Sequence, residues 1–156
     1  MNEKILILGI GNVLMGDEGV GVDVIRYLEK ELIPANVVLL DGGTGGFHLL
    51  ESLIRFSIII MIDATLDGGD EGTIKLIEPK FSSDFPKALS AHDIGLKDLV
   101  EALILLEKFP KIYLFTISVK EIQSMVMELS PKIMVAVPIV AQKIIDLINK
   151  LNQEIV

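Results

Sequence analysis

The sequence contains no cysteine and no tryptophan, and aromatic residues make up only 5% of its 156 positions. Without cysteine, disulfide bonds and thiol chemistry are excluded. No apolar run approaches the about 20 residues that a membrane-spanning helix needs. Basic residues are also in the minority, and the net charge of −8 disfavours nucleic acid and anionic membranes as partners.

Apolar residues, by contrast, are abundant, at 51% of the chain. A chain of this length with so much apolar material can bury one sizeable core, so we expect a single domain over residues 1–156. The apolar run near the amino end is too short for the core of a signal peptide, and Gly9 interrupts it. These features, together with the missing cysteine, predict a soluble cytoplasmic protein.

Three wholly apolar segments share one arrangement, in which the run is followed by a glycine-rich or acidic loop and then by a helical pattern. They lie at residues 5–8, 37–40 and 58–62, the last ending on Asp63. Runs without polar alternation are typical of strands buried on both faces of a parallel sheet. The sequence therefore predicts an α/β fold built on a mostly parallel sheet.

Further elements complete this prediction. Residues 111–119 form another strand pattern, and residues 73–77 follow the third strand so closely that we expect an antiparallel edge partner. Helical patterns begin near Val20, Phe47, Leu96 and Pro131, and the last continues to about Leu151 with Pro138 expected to kink or divide it. Residues 79–89 lack periodicity and are predicted to be a mobile flap.

The most unusual stretch is residues 9–21, Gly-Ile-Gly-Asn-Val-Leu-Met-Gly-Asp-Glu-Gly-Val-Gly, where five glycines surround Asp17 and Glu18. Glycine permits sharp turns and close approach of another group to the main chain. In doubly wound sheets, ligands bind outside the carboxyl ends of the strands. Glu18, Asp41 and Asp63, which all follow predicted strands, should therefore converge there.

His92 completes a possible metal site. It lies in Ser90-Ala-His-Asp93, which matches the spacing of a capping box and predicts a place in the first turn of a helix. Two carboxylates and an imidazole, from Glu18, Asp63 and His92, suit a borderline divalent cation such as nickel, zinc or manganese.

Each of these side chains also has a simpler explanation. Asp17 can stabilise a helix dipole, and His92 can be a capping or surface residue. Asp41 can accept backbone hydrogen bonds in its glycine turn or contact a substrate, and both interpretations stay open. His48, the other histidine, is expected on a helix face.

A dinucleotide site is the main alternative for the glycine loop. Gly9 and Gly11 match the first two glycines of that motif, but Leu14 occupies the third position. Asp17 and Glu18 would also lie close to the pyrophosphate, at a helix end that favours anions. The sequence lacks the phosphate-binding loop with Gly-Lys-Ser/Thr, the Gly-x-Ser-x-Gly elbow and the His-Glu-x-x-His helix.

Five motifs in this order resemble the hydrogenase maturation endopeptidases, which remove a C-terminal extension from the large subunit of nickel-iron hydrogenases. The motifs are residues 9–21, 41–44, 62–64, 90–96 and 129–131. The resemblance implies a three-layer αβα sandwich with a twisted sheet, in a cytoplasmic monomer. It also places the family's three metal-binding positions on Glu18, Asp63 and His92.

The resemblance further implies a substrate, the large-subunit precursor already loaded with nickel. On this hypothesis the three side chains bind the substrate's nickel, for which zinc or another divalent cation could substitute. Hydrolysis then has two open routes, through the ion itself or through a carboxylate such as Asp41 or Asp63 as general base. The non-enzymatic alternative is a nickel-binding assembly chaperone for hydrogenase.

Overall fold

The three apolar segments of the sequence form three adjacent strands of a five-stranded sheet in the computed structural model, which describes residues 3–86 and 95–154. The strands are β1 (Ile5–Gly9), β2 (Val37–Asp41), β3 (Ile58–Thr65), β4 (Ile74–Ile77) and β5 (Lys111–Ser118). Their order across the sheet is β2-β1-β3-β5-β4. All neighbours are parallel except β4 and β5, which confirms the predicted antiparallel edge strand.

In the described part of the chain, four α-helices cover the two faces of the sheet. They are α1 (Val20–Leu28), α2 (Leu50–Leu53), α3 (Leu96–Leu105) and α4 (Pro131–Glu154). Short 3₁₀ turns occur at Gly16–Gly19, Phe47–Leu49 and Ser82–Asp84. The helix that was expected to begin at Phe47 is therefore a 3₁₀ turn followed by a single α-helical turn.

Alternation along the strands divides the apolar residues between two cores. On β3, Ile60 and Ile62 pack with α1 and α4, whereas Ile59 and Met61 pack with α2 and α3. Because successive side chains of a strand point to opposite faces, a wholly apolar strand must be covered on both sides. The predicted three-layer αβα arrangement and mostly parallel sheet are thus confirmed.

One predicted boundary was wrong. β3 continues past Asp63 to Thr65, since β5 pairs with it along the whole extension from Asp63 to Thr65. Asp63 therefore lies within the strand, not at its end. The helix α4 runs without a break through Pro138, so the proline does not divide it, and a kink at this position stays a prediction.

The predicted flap is described as far as Pro86. Asp84 accepts hydrogen bonds from the backbone N–H groups of Lys80 and Phe81, both at 3.0 Å, which closes the 3₁₀ turn. Phe85 is buried in the core next to α3, so this part of the segment is anchored. Residues 87–89 lie outside the described residues, and the predicted mobility stays a prediction.

Within the described ranges, no helix combines the length and the apolar character that crossing a membrane would require.

The first turn of α1 packs directly on the residue that follows β1 and on β3 at Ile62. A Cβ atom added at Gly21 would contact the carbonyl oxygen of Ile10 and would lie 2.6 Å from that of Ile62. A Cβ at Gly9 would in turn contact the carbonyl oxygen of Gly21. Glycine at positions 9 and 21 thus lets the helix approach the sheet backbone to backbone.

The substitution Gly21→Ala should therefore destabilise the protein, even though Gly21 lies in a helix. Helix propensity favours alanine by about 1 kcal/mol. The clash is with backbone carbonyls, which cannot rotate away, and overpacking costs about 1–3 kcal/mol or more. We expect a net loss in the free energy of unfolding, measured by urea denaturation.

The control for helix propensity alone is Val135→Ala on the exposed face of α4. It should leave the free energy of unfolding within about 0.5 kcal/mol of the parent value. A gain in stability for Gly21→Ala would contradict the close packing of α1 against β1 and β3.

Candidate functional site

The strand register places the predicted acidic residues along one edge of the sheet. Gly9 is paired with Asp41 on β2 and with Ile62 on β3. Asp41 and Ile62 are therefore level with each other and separated by two inter-strand spacings, or about 10 Å between Cα atoms. Asp63 follows one residue further along β3, so the three strands present both acids at the same carboxyl edge.

The glycine loop between β1 and α1 brings Glu18 to this edge. Glu18 lies in the 3₁₀ turn Gly16–Gly19, which packs against β3. A Cβ at Gly11 would contact the carbonyl oxygen of Glu18, and one at Gly19 would lie 2.8 Å from the Cα of Val13. The loop is thus folded tightly on itself, and Glu18 is only 5% exposed.

Asp63 points to the face of the sheet that α2 and α3 cover, since it shares the alternation of Ile59 and Met61. Its Oδ1 accepts a hydrogen bond from the backbone N–H of Ala64 at 2.9 Å, and the residue is partly buried. The register pairs it with Thr116 on β5. β5 therefore supports Asp63 on one side, whereas the pairing of β3 with β1 ends one residue earlier, at Ile62.

Asp41 holds the second glycine turn. Its Oδ1 accepts a hydrogen bond from the N–H of Gly43 at 2.8 Å, and the residue is exposed. The carbonyl oxygen of Gly43 accepts a hydrogen bond of 2.6 Å from Gly11, which ties this turn to the glycine loop. By strand alternation Asp41 is directed to the α1 side, opposite to Asp63. The turn-holding interpretation has direct contacts in its favour, and a catalytic role for Asp41 stays a prediction.

His92, the third residue of the predicted triad, lies outside the described residues, as do Ser90 and Asp93 of the predicted capping box. The described helix α3 begins at Leu96, with the backbone of Gly95 extended and its N–H donated to Asp98 Oδ2 at 3.2 Å. In residues 3–86 and 95–154, no group of three acidic or histidine side chains is arranged to hold a metal ion. His48 is exposed, in the 3₁₀ turn that precedes α2.

Asp17 is the residue whose role sequence reasoning missed. Its carboxylate is 0% exposed and is bonded to two residues of the later chain. Ser130 donates its backbone N–H to Oδ1 at 2.7 Å and its hydroxyl to Oδ2 at 2.6 Å, and Gln123 donates its amide to Oδ2 at 3.1 Å. Asp17 therefore binds the chain at the start of α4, and it does not simply stabilise the dipole of α1 as expected. No local pattern could have revealed these partners, which are 106 and 113 residues away.

The fold and the site define a class of protein. It is an α/β sandwich with acidic residues at the carboxyl edge of its central strands. The family model for hydrogenase maturation protease matches residues 22–147. The hydrogenase expression/formation protein HupD of Bradyrhizobium diazoefficiens is 36% identical over 115 residues, covering 70% of this chain and 59% of that protein. The hydrogenase 2 maturation protease of Escherichia coli is 35% identical over 111 residues, covering 69% of this chain and 68% of that protein.

Solved structures agree with these sequence matches. The hydrogenase maturating endopeptidase HybD of E. coli superimposes with a TM-score of 0.85 at 28% identity, covering 94% of this chain and 93% of that one. The chain therefore belongs to the hydrogenase maturation protease family.

Asp67 secures the loop that follows β3. Its Oδ1 accepts hydrogen bonds of 2.9 Å from the N–H of Gly69 and from the hydroxyl of Ser118, at the end of β5. Lys75 lies 3.5 Å from Oδ2. The hydrogen bond from Gly69, followed by that from Ser118, lowers the pKa of Asp67 below 3.8. The ionised carboxylate is therefore the form that holds this loop against the sheet.

Asp67→Asn should lower the stability at neutral pH, and the difference from the parent should disappear in acid. Because the folded-state pKa is depressed, the stabilisation is fully present above 3.8 and is lost as the pH falls through the folded-state pKa. Melting temperatures of both proteins between neutral pH and strong acid would measure this. Asp70→Asn makes the same charge change in the same loop, outside these hydrogen bonds, and is the control. A difference between parent and Asp67→Asn that stayed constant with pH would contradict the assignment.

Proposed function

We propose that the protein is an endopeptidase that removes the C-terminal extension of a nickel-loaded nickel-iron hydrogenase large-subunit precursor. The observation that carries this proposal is the nearly buried Glu18, held by a tight glycine loop against the strand that contains Asp63. Membership of the hydrogenase maturation protease family supports the reaction class. The HupD relative is longer, and this chain covers 59% of it. Activity, substrate and partner are therefore part of the proposal.

Nickel enters this proposal as part of the substrate. Glu18 and Asp63 would supply carboxylate oxygens and His92 an imidazole nitrogen, a donor set suited to nickel, zinc and similar cations. Binding of the precursor's ion would position the peptide beside the carboxyl edge of β1 and β3. A precursor without nickel would lack this attachment, so recognition of the ion would also select the mature metal centre.

Two carboxylates remain candidates for the general base. Asp63 lies on the strand against which the Glu18 turn packs, and this favours a direct role for Asp63. Asp41 is directed to the other face of the sheet and already accepts a hydrogen bond from Gly43. Its contribution would then be to hold the turn that contacts the glycine loop. We further propose that the protein works in the cytoplasm as a monomer, a location that its lack of cysteine fits.

Glu18→Gln should abolish most cleavage while leaving the fold intact. The substitution keeps the volume of the side chain but removes the negative charge that a cation needs from its ligand. Cleavage is measured as the loss of mass of the large subunit after incubation with the purified protein. Glu31→Gln, an exposed position beyond α1, is the matched control and should cleave at the parent rate. Retained activity in Glu18→Gln would remove Glu18 from the site.

Cleavage should also depend on the metal content of the precursor. The nickel-loaded precursor should lose its extension, and the nickel-free precursor should remain at full length. Equal cleavage of both would exclude recognition through nickel. A precursor that binds the protein without any change in mass would instead indicate the assembly chaperone.

A further inference from the structure

Asp17 lies next to Glu18 in the chain, and its carboxylate is bonded to Gln123 and Ser130. Three donors converge on it, the N–H and hydroxyl of Ser130 and the amide of Gln123, at 2.6–3.1 Å. Gln123 also accepts a hydrogen bond of 2.9 Å from the backbone N–H of Asp17. The side chain of Gln123 thus binds both the main chain and the carboxylate of the same residue.

The preceding residue strengthens this link. The N–H of Gly16 donates to the carbonyl oxygen of Val126 at 2.6 Å, and Met15 forms a bridge with Val126. A Cβ at Gly16 would collide with Oε1 of Gln123, and the φ angle of Gly16 is +59°, in the left-handed region. Glycine is therefore required there on two grounds, close approach and backbone conformation.

The nature of the donors explains why a charged residue occupies this buried position. Burial of a carboxylate is costly unless hydrogen bonds compensate for the lost water. An ionised carboxylate is an acceptor only, and it satisfies all three neutral donors at once. An asparagine would turn an NH₂ group towards a donor and leave buried groups unsatisfied. Asp17 thus matches a set of donors that comes from residues 123–130.

From this arrangement we infer that Asp17 is a positioning residue for Glu18. The inference rests on the function proposed above. Residues 16 and 17 are fastened to residues 123–130 on one side, and the turn places Glu18 against β3 on the other. The geometry of Glu18 therefore depends on Gln123 and Ser130, although neither belongs to the predicted site. Displacement of a reacting group by about 1 Å can lower the rate about 10²-fold.

The test compares Asp17→Asn with a double variant that reverses the polarity of the contact, Asp17→Asn with Gln123→Glu. The single variant places two amide donors against each other, and kcat/KM for the nickel-loaded precursor should fall by between about tenfold and 10²-fold. In the double variant the new carboxylate accepts from both the backbone N–H and the side-chain amide of residue 17. It should therefore recover most of the lost kcat/KM.

Two controls separate positioning from general stability. Ile144→Val removes one fully buried methyl group of α4, which should lower the melting temperature without changing kcat/KM per folded molecule. Gln142→Ala, on the exposed side of α4, also removes a glutamine side chain and is the control for Gln123→Ala. If Asp17→Asn does not fold, Gln123→Ala is the second variant, and it should lower kcat/KM in the same direction.

Amide hydrogen exchange of the free protein provides a readout that does not depend on the reaction. Exchange at Glu18 and Gly19 should accelerate in Asp17→Asn and return towards the parent rate in the double variant. Parent-like kcat/KM in Asp17→Asn, or unchanged exchange at these amides, would overturn the inference. If the parent protein itself fails to cleave the precursor, the proposed function fails, and the exchange rates alone then decide whether Asp17 positions Glu18.

Discussion

The contact on which the site depends is the direct approach of backbone to backbone where α1 meets the sheet. Gly21 lies so close to the carbonyl oxygens of Ile10 and Ile62 that there is no room for a side chain. This proximity holds the start of α1 against β3 at Ile62 and against the residue that follows β1. The short loop before it must then fold tightly, and its glycines allow Glu18 to be buried beside β3.

A second constraint comes from residues 123–130. Through hydrogen bonds to Gln123 and Ser130, Asp17 links the glycine loop to the start of α4 and to the segment before it. The loop is therefore held between the sheet on one side and residues 123–130 on the other. Met125 and Met127 lie in residues 123–130, and their exposed side chains make the surface of this segment apolar.

Much of the fold could be predicted because the signals are local. The apolar runs at residues 5–8 and 58–62 have no polar alternation and form strands that are buried, as predicted. The run at 37–40 was also expected to be a buried strand, but it forms β2 at the edge of the sheet and is only partly buried, because it has a neighbouring strand on one side alone. The boundaries were less accurate. β3 extends to Thr65 because β5 offers paired backbone groups beyond Asp63, and α4 continues through Pro138 because packing on both sides of the proline outweighs one missing hydrogen bond.

In the site, too, some features are set by the local sequence and others by contacts with distant residues. The sequence by itself indicated that Glu18 and Asp63 lie near one edge, since Glu18 is in the loop after β1, Asp63 follows the apolar run of β3, and the two strands are parallel. Only the tertiary structure decided that Asp41 holds a turn on the other face, and that Asp17 is bonded to residues more than a hundred positions away. The physical reason is that strand direction and glycine conformation are encoded by neighbouring residues. Hydrogen-bond partners of a buried carboxylate are set by which segments the completed fold brings together.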